Sequence, residues 1–274
     1  MSLSLEPAAS PWFRLATISG KGIGVVATRD ILRGTLLIAE LPLIAAPYDA
    51  SIEELERQYI SLSVEQQATF ISLHNAHPEL AQVRGIFQTN TISVDSSPDA
   101  MSFVLPTISR FNHSCRPTAM FSYQEPYEKV YALVDIPQGA EICVGYGGSA
   151  QSAVFEERQQ YYHRVFGFWC DCSACSAAPE RRAQSDAHML ELRALEDVLA
   201  DWSQLDPQQA ILVVKRCLDI FDMEDINSDR GSTCWTGFEI ACRAQWWEIA
   251  RFWLHSAWGW QVIERLVGEL VDSH

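Results

Sequence analysis

The sequence predicts an α+β fold, in which several small β-sheets carry an inserted helical segment and give way to a helical C-terminal region. Three observations point there. β-branched and aliphatic runs of strand length fill the first fifty residues, two helix-start signatures follow residue 50, and helical periodicity dominates after Cys175.

Taken in chain order, Ile23 to Thr28 and Thr35 to Leu41 read as strands, joined across Arg29 to Gly34, where Gly34 suits a turn. Ser51 and Ser63 each stand three residues before Glu54 and Gln66, the spacing of a capping box. Leu55, Tyr59 and Leu62, then Phe70, Leu73 and His74, recur at helical spacing, so residues 51 to about 83 read as a helical insert. Strand character returns at Thr89 to Val94, Ala119 to Tyr123, Val130 to Asp135 and Glu141 to Tyr146. The last two flank a tight turn at Ile136-Pro137-Gln138-Gly139. Beyond Cys175, Met189, Leu192, Leu195, Leu199 and Trp202 mark one amphipathic helix and Ile211 to Phe221 a second. One or two more lie within Trp235 to Trp260. Seven of the nine tryptophans lie in this tail, and they are expected to fill a helical core.

Composition narrows the setting. With 48% hydrophobic and 20% charged residues the chain is of ordinary globular type. No apolar run reaches the roughly 18 residues of a membrane span, and Met1 to Trp12 lacks the features of a secretory signal. The expectation is an intracellular protein of cytoplasm or nucleus, with its eight cysteines as thiols or metal ligands. A net charge of −15 disfavours direct nucleic-acid binding. It favours a cationic partner, though it would serve solubility equally well.

Cys170, Cys172 and Cys175 place three thiols within six residues, a turn that can direct three sulfurs at one zinc ion. A closed structural site needs a fourth ligand. Cys115 is the best donor because it lies in its own polar turn, Asn112 to Pro117. Cys143 sits in a strand context, and Cys217, Cys234 and Cys242 sit in apolar helical surroundings that suit buried thiols. His163 and His188 are the substitutes.

Four segments, in order, carry a resemblance. Gly20-Lys21-Gly22-Ile23-Gly24 resembles the N-terminal G-x-G turn of SET-domain protein lysine methyltransferases. Arg110-Phe111-Asn112-His113-Ser114-Cys115 resembles their Asn-His-Ser-Cys signature. Gly139-Ala140-Glu141-Ile142-Cys143-Val144-Gly145-Tyr146 resembles their Gly-Glu-Glu-Ile strand ending on the catalytic tyrosine. Phe166-Gly167-Phe168-Trp169-Cys170 onward resembles the zinc-binding post-SET segment. The segments span residues 15 to 175 and look closest to the SMYD-like and fungal SET branch, without its MYND zinc finger, since Leu41 to Ser51 holds no Cys or His.

This resemblance implies a SET-domain β-fold over residues 1–148, a post-SET zinc segment over 149–176 and a helical region over 177–274. It implies transfer of a methyl group from S-adenosylmethionine, most readily to lysine side chains of a protein. Tyr146 would be catalytic. Lys21, Gly22, Asn90, Asn112, His113, Tyr146, Phe166 and Phe168 would bind the cofactor, and Cys115, Cys170, Cys172 and Cys175 would hold one structural zinc. A basic protein or peptide is the implied partner of a monomeric enzyme, with no nucleic acid and no membrane. Thr118, Ala140, Gly145 and Phe166 depart from the family pattern, and the last usually has a channel-lining tyrosine in its place. Two alternatives stay open: a SET fold recruited to small-molecule chemistry, and a binding module without turnover.

Overall fold

The computed structural model describes residues 10–93, 100–147 and 152–264, with side chains described through 259. Eight strands and eight α-helices are named within them. The chain divides into two compact units. The first is built from residues up to Asn112, Phe121–Val144 and Gln160–Trp169. The second is built from His113–Met120, Gly145–Gln159 and Cys170 onward.

The first unit holds three small antiparallel sheets. β1 (Phe13–Ile18) and β2 (Gly22–Ala27) form a hairpin in register from Phe13 opposite Ala27 to Ile18 opposite Gly22. Gly20 and Gly22 both have φ near +75°, which a glycine adopts at no steric cost. β3 (Leu36–Glu40) pairs with β8 (Tyr127–Ala132), which pairs with β7 (Ala119–Gln124). β4 (Ile44–Pro47) and β5 (Thr91–Ser93) flank β6 (Met101–Val104).

Helices follow β4 and continue to Asn90. α1 (Ile52–Ser61) is capped by Ser51, whose hydroxyl accepts from Glu54 N. α2 (Val64–Ile71) starts with a complete capping box, Ser63 and Gln66 satisfying each other's backbone N–H. Leu55, Phe70 and Leu73 are buried against Ile44, Ile86 and Phe87. Leu73 and His74 lie beyond the end of α2, and His74 faces solvent.

α3 (Gln82–Asn90) corrects the strand expected at Thr89 to Val94. Thr89 and Asn90 close the last turn of α3, with the Thr89 hydroxyl donating to Gly85 O and the Asn90 amide to Ile86 O. Only Thr91–Ser93 pairs as a strand, and Val94 lies outside the described residues.

The strand expected over Glu141 to Tyr146 is also corrected. Glu141 makes a single bridge to Val26. Ile142 N then donates to Val25 O and Val144 N to Asn112 O. The segment spends its backbone bonds on two different partners rather than on one ladder. Of Val130 to Asp135, the ladder keeps residues only to Ala132. Past it, Asp135 accepts from Arg33 N and Ile136 bridges Ile31.

α4 (Phe155–Phe166) was not legible as a helix, and its residues enter both units. In the second unit, α5 (Pro179–Ala200), α6 (Pro207–Glu224), α7 (Arg230–Arg243) and α8 (Trp247–Glu264) match the helical reading. Their core includes Met189, Leu192, Val214, Ile240 and Trp253. The tryptophan expectation holds only in part. Trp253 is buried and Trp202 and Trp246 pack partly against the core, whereas Trp235, Trp247 and Trp258 are exposed. No helix among the described residues is long and apolar enough to cross a membrane.

Candidate metal centre and active-site residues

The second unit contains a four-cysteine cluster. Cys115, Cys170, Cys172 and Cys175 are all buried, and their sulfurs lie within 4.8 Å of one another. Cys115 Sγ stands 3.6 Å from Cys175 Sγ and 3.9 Å from Cys170 Sγ. A tetrahedral ion with Zn–S bonds of about 2.3 Å separates its sulfurs by roughly 3.8 Å, so the cluster has the dimensions of one zinc site. Cys115 is therefore placed with the triplet, as the polar turn suggested. His163 instead stacks on Trp169 at 4.2 Å, and His188 bonds Glu224 at 2.7 Å, so neither substitute joins the cluster.

The backbone shapes this cluster. Cys175 N and Ser176 N both donate to Cys172 O at 2.9 Å, which folds the C-x-x-C end into a turn. The Gln159 side chain grips the backbone of Cys170 from both sides, donating to its carbonyl at 2.8 Å and accepting from its N–H at 2.9 Å. Hydrogen bonds from Cys115, Cys170 and Cys175 push the Cys172 thiol down toward the thiolate a metal requires. The same sharing pushes Cys115 up.

His113 ties the cluster to Tyr146. Its Nδ1 accepts from Tyr146 N at 3.0 Å, so the neutral ring carries its proton on Nε2, which stands 3.3 Å from Cys115 Sγ. The Tyr146 ring lies 5.3 Å from the imidazole, centroid to centroid, and is partly exposed. On the far side of Cys115, Arg116 donates to Glu224 Oε2 at 2.9 Å. Burial alone would raise the Glu224 carboxyl. Hydrogen bonds from Arg181, Ser185, His188 and Arg116 overturn that and hold its pKa at about 2. Glu224 thus fixes the Cys115 turn to α5 and α6 from a fully ionised, buried position.

The other expected cofactor residues belong to the first unit. Lys21 Nζ and Asn112 Nδ2 meet on one carboxylate, Glu141, at 3.3 and 2.8 Å. The approach depends on Gly24: a Cβ there would stand 2.6 Å from Asn112 Nδ2, 2.6 Å from Ile18 Cγ1 and 3.0 Å from Glu141 Oε1. Glu141 and Gly24 lie inside the third and first motifs, which carry no sign of this contact in their residue types. Their signal was the position of each motif, not its residue type. Asn90 stands apart, donating its side-chain amide to His74 O and Ile86 O while its backbone carbonyl accepts from Ser109 Oγ at 3.3 Å. Phe166 and Phe168, ring centroids 6.3 Å apart, pack with Tyr162, on which Phe168 stacks at 5.8 Å. The two phenylalanines are partly exposed, Tyr162 is buried, and Trp169 is 60% exposed.

Residues 22–147 match the family model described as the SET domain. The chain is 30% identical over 220 residues to "Histone-lysine N-methyltransferase set5" of Schizosaccharomyces pombe, covering 79% of this chain and 67% of that protein. It is 26% identical over 152 residues to "Histone-lysine N-methyltransferase ASHR1" of Arabidopsis thaliana, 54% and 31% of the two chains. It is 25% identical over 167 residues to "N-lysine methyltransferase SMYD2" of Gallus gallus, 58% and 37%. The chain thus spans two thirds of the fission-yeast relative and about a third of the other two.

Proposed function

This chain belongs to the SET-domain methyltransferase family, and from that premise we propose that it transfers a methyl group from S-adenosylmethionine to lysine side chains of a protein. The observation that carries the reading is the similarity over 79% of the chain to a relative named for histone-lysine methylation. That name also favours a protein acceptor over a small molecule. A net charge of −15 suits a basic acceptor segment.

When bound, S-adenosylmethionine supplies a methyl group on a sulfonium, ready for in-line displacement by a neutral amine. The chain's own residues would do the rest. In the first unit, the main chain at Lys21 and Gly22 would give close approach to the cofactor, and Asn90 would hydrogen-bond its amino-acid end. Glu141 holds the Asn112 amide in place, so that Asn112 can bind the cofactor's amino-acid end. Phe166 and Phe168 would cover the adenine and wall the lysine channel. Aromatic, water-poor walls disfavour an ammonium and so help it shed its proton, and their faces hold whatever cationic character remains.

In the second unit, the His113 backbone would meet the adenine while its ring holds the backbone of Tyr146. The Tyr146 hydroxyl would orient the amine and face the methyl group as it transfers. One zinc in the four-cysteine cluster would act as a folding element, because four thiolates leave no position for water or substrate. We place the enzyme in the cytoplasm or nucleus, as a monomer.

The test is incubation of the full chain with methyl-labelled S-adenosylmethionine and three acceptor classes: histones, Lys-rich peptides and small amines. Label on lysine of the protein or peptide acceptors is expected. Label on small amines alone would move the assignment to small-molecule chemistry. Cofactor binding without label on any acceptor would leave a binding module.

A further inference from the structure

A buried arginine lies against the sulfurs. Arg158, on α4, is 1% exposed, and its Nη2 stands 3.9 Å from Cys175 Sγ. Nη1 donates to Ala153 O, and Nε has no hydrogen-bond partner among the described residues. No carboxylate among the described residues forms an ion pair with it. Asp186, whose charge favours the Arg158 guanidinium without touching it, accepts from Phe155 N at 2.6 Å. A guanidinium taken out of water without an anion is strongly unfavourable. No carboxylate among the described residues is in contact with Arg158, so the sulfurs are the group placed to balance its charge directly.

The converse need is as strong. Zinc with four thiolates carries two net negative charges, and all four cysteines are buried. Arg116, next to Cys115 in the chain, gives its guanidinium to Glu224 and to the Cys115 carbonyl. Arg158 is the guanidinium that directs a donor at a cluster sulfur. Its neighbour on α4, Gln159, is the residue that clamps the Cys170 backbone.

We propose that Arg158 and Gln159 form the outer layer of the zinc site: Arg158 balances the charge of the metal-bound thiolates and Gln159 fixes the entry of the Cys170 loop. The proposal rests on reading the four cysteines as a zinc site. It gives α4 a role that no sequence motif marked, as the support on which the metal loop closes. Groups of this kind, one bond removed from the metal, commonly set affinity by roughly 10- to 100-fold.

The experiment measures zinc affinity of the full chain by competition with a chromophoric chelator, in wild type, Arg158→Met, Arg158→Lys and Gln159→Leu. Arg158→Met is expected to weaken zinc binding roughly 10- to 100-fold, with Arg158→Lys between it and wild type, because Lys keeps the charge but loses the fork. Gln159→Leu is expected to speed zinc release to the chelator. The melting temperatures of zinc-loaded and zinc-stripped protein separate this role from mere packing. The gap between the two forms should shrink in Arg158→Met. An equal drop in both forms, with affinity unchanged, would overturn the proposal. If Arg158→Met proves insoluble, Arg158→Lys decides: zinc release as slow as wild type would overturn it. Wild-type protein that binds no zinc at all would instead remove the zinc reading on which the proposal stands.

Discussion

Glu40 and Glu128 are direct partners across the β3–β8 ladder, and both are buried. They are solvated differently. Glu40 accepts from the backbone N–H groups of Thr107 and Ile108 at 2.8 to 3.0 Å, though burial still pushes its carboxyl up. Burial pushes Glu128 further, to about 7, against a single opposing backbone bond from Ser122. A carboxyl whose folded pKa is raised holds its proton more tightly in the folded state. Its stabilising contribution is whole below the unfolded value near 4.5 and is lost as pH rises through about 7. The loss amounts to at most about 3 kcal/mol.

Glu128→Gln is therefore expected to stabilise the protein at pH 8 and to leave it little changed at pH 5. Urea unfolding at pH 5, 6, 7 and 8 checks this. An unaltered pH slope in the variant would show that Glu128 is ionised and solvated in the folded state.

The cysteine cluster predicts that one zinc is bound per chain and that Cys172→Ser loses metal and soluble yield together. Metal binding by a site with no counterpart in the unfolded chain is folding free energy. Elemental analysis and melting temperature in the presence of a chelator are the measurements. Metal-free wild type of full stability would refute the claim.

What the sequence made legible follows from where its signals are local. Ser51 and Ser63 announce α1 and α2 because a cap is decided within four residues. The cysteine triplet announces itself by spacing alone. α4 was hidden because its residues Glu156 to Arg164 are mostly polar and aromatic, and it sits between two loop-like motifs. Its helix is held by distant groups, Asp186 at its start and Cys170 against Gln159. Glu141 to Tyr146 has strand-forming residues, yet its bonds go to two partners far apart in sequence, which no local pattern records. The exposure of Trp247 and Trp258 was likewise invisible, because helical periodicity alone does not settle which face of α8 is covered.

Gly24 supplies a prediction that the motif did not. Gly24→Ala brings a methyl group to 2.6 Å from both Asn112 Nδ2 and Ile18 Cγ1, closer than any ordinary contact. Both the Asn112 amide, with its bond to Glu141, and the Ile18 side chain must shift, at a cost of about 1–3 kcal/mol. If Asn112 binds the cofactor, Gly24→Ala should weaken S-adenosylmethionine binding along with Asn112→Ala and Gly22→Trp. Titration calorimetry reads the affinity, and the ligand-induced rise in melting temperature reads it independently. Wild-type affinity in both Gly24→Ala and Asn112→Ala would take Asn112 out of the cofactor site.

Tyr146 is held through its backbone, by His113 Nδ1. Tyr146→Phe should therefore leave the local fold and cofactor affinity near wild type while removing most turnover. An interaction made chiefly in the transition state lowers kcat without changing ground-state binding. His113→Ala should behave differently, because it releases both the Tyr146 backbone and the contact at Cys115, so cofactor affinity, turnover and zinc retention should all fall. Phe166 offers the companion measurement. Phe166→Tyr adds a hydroxyl at a partly exposed ring and should change how many methyl groups each lysine receives, read by intact mass of the acceptor. A Tyr146→Phe enzyme of full activity on a confirmed acceptor would leave the family assignment standing. It would rule out any role for the hydroxyl in methyl transfer, and the orientation of the amine would then have to come from the aromatic walls alone.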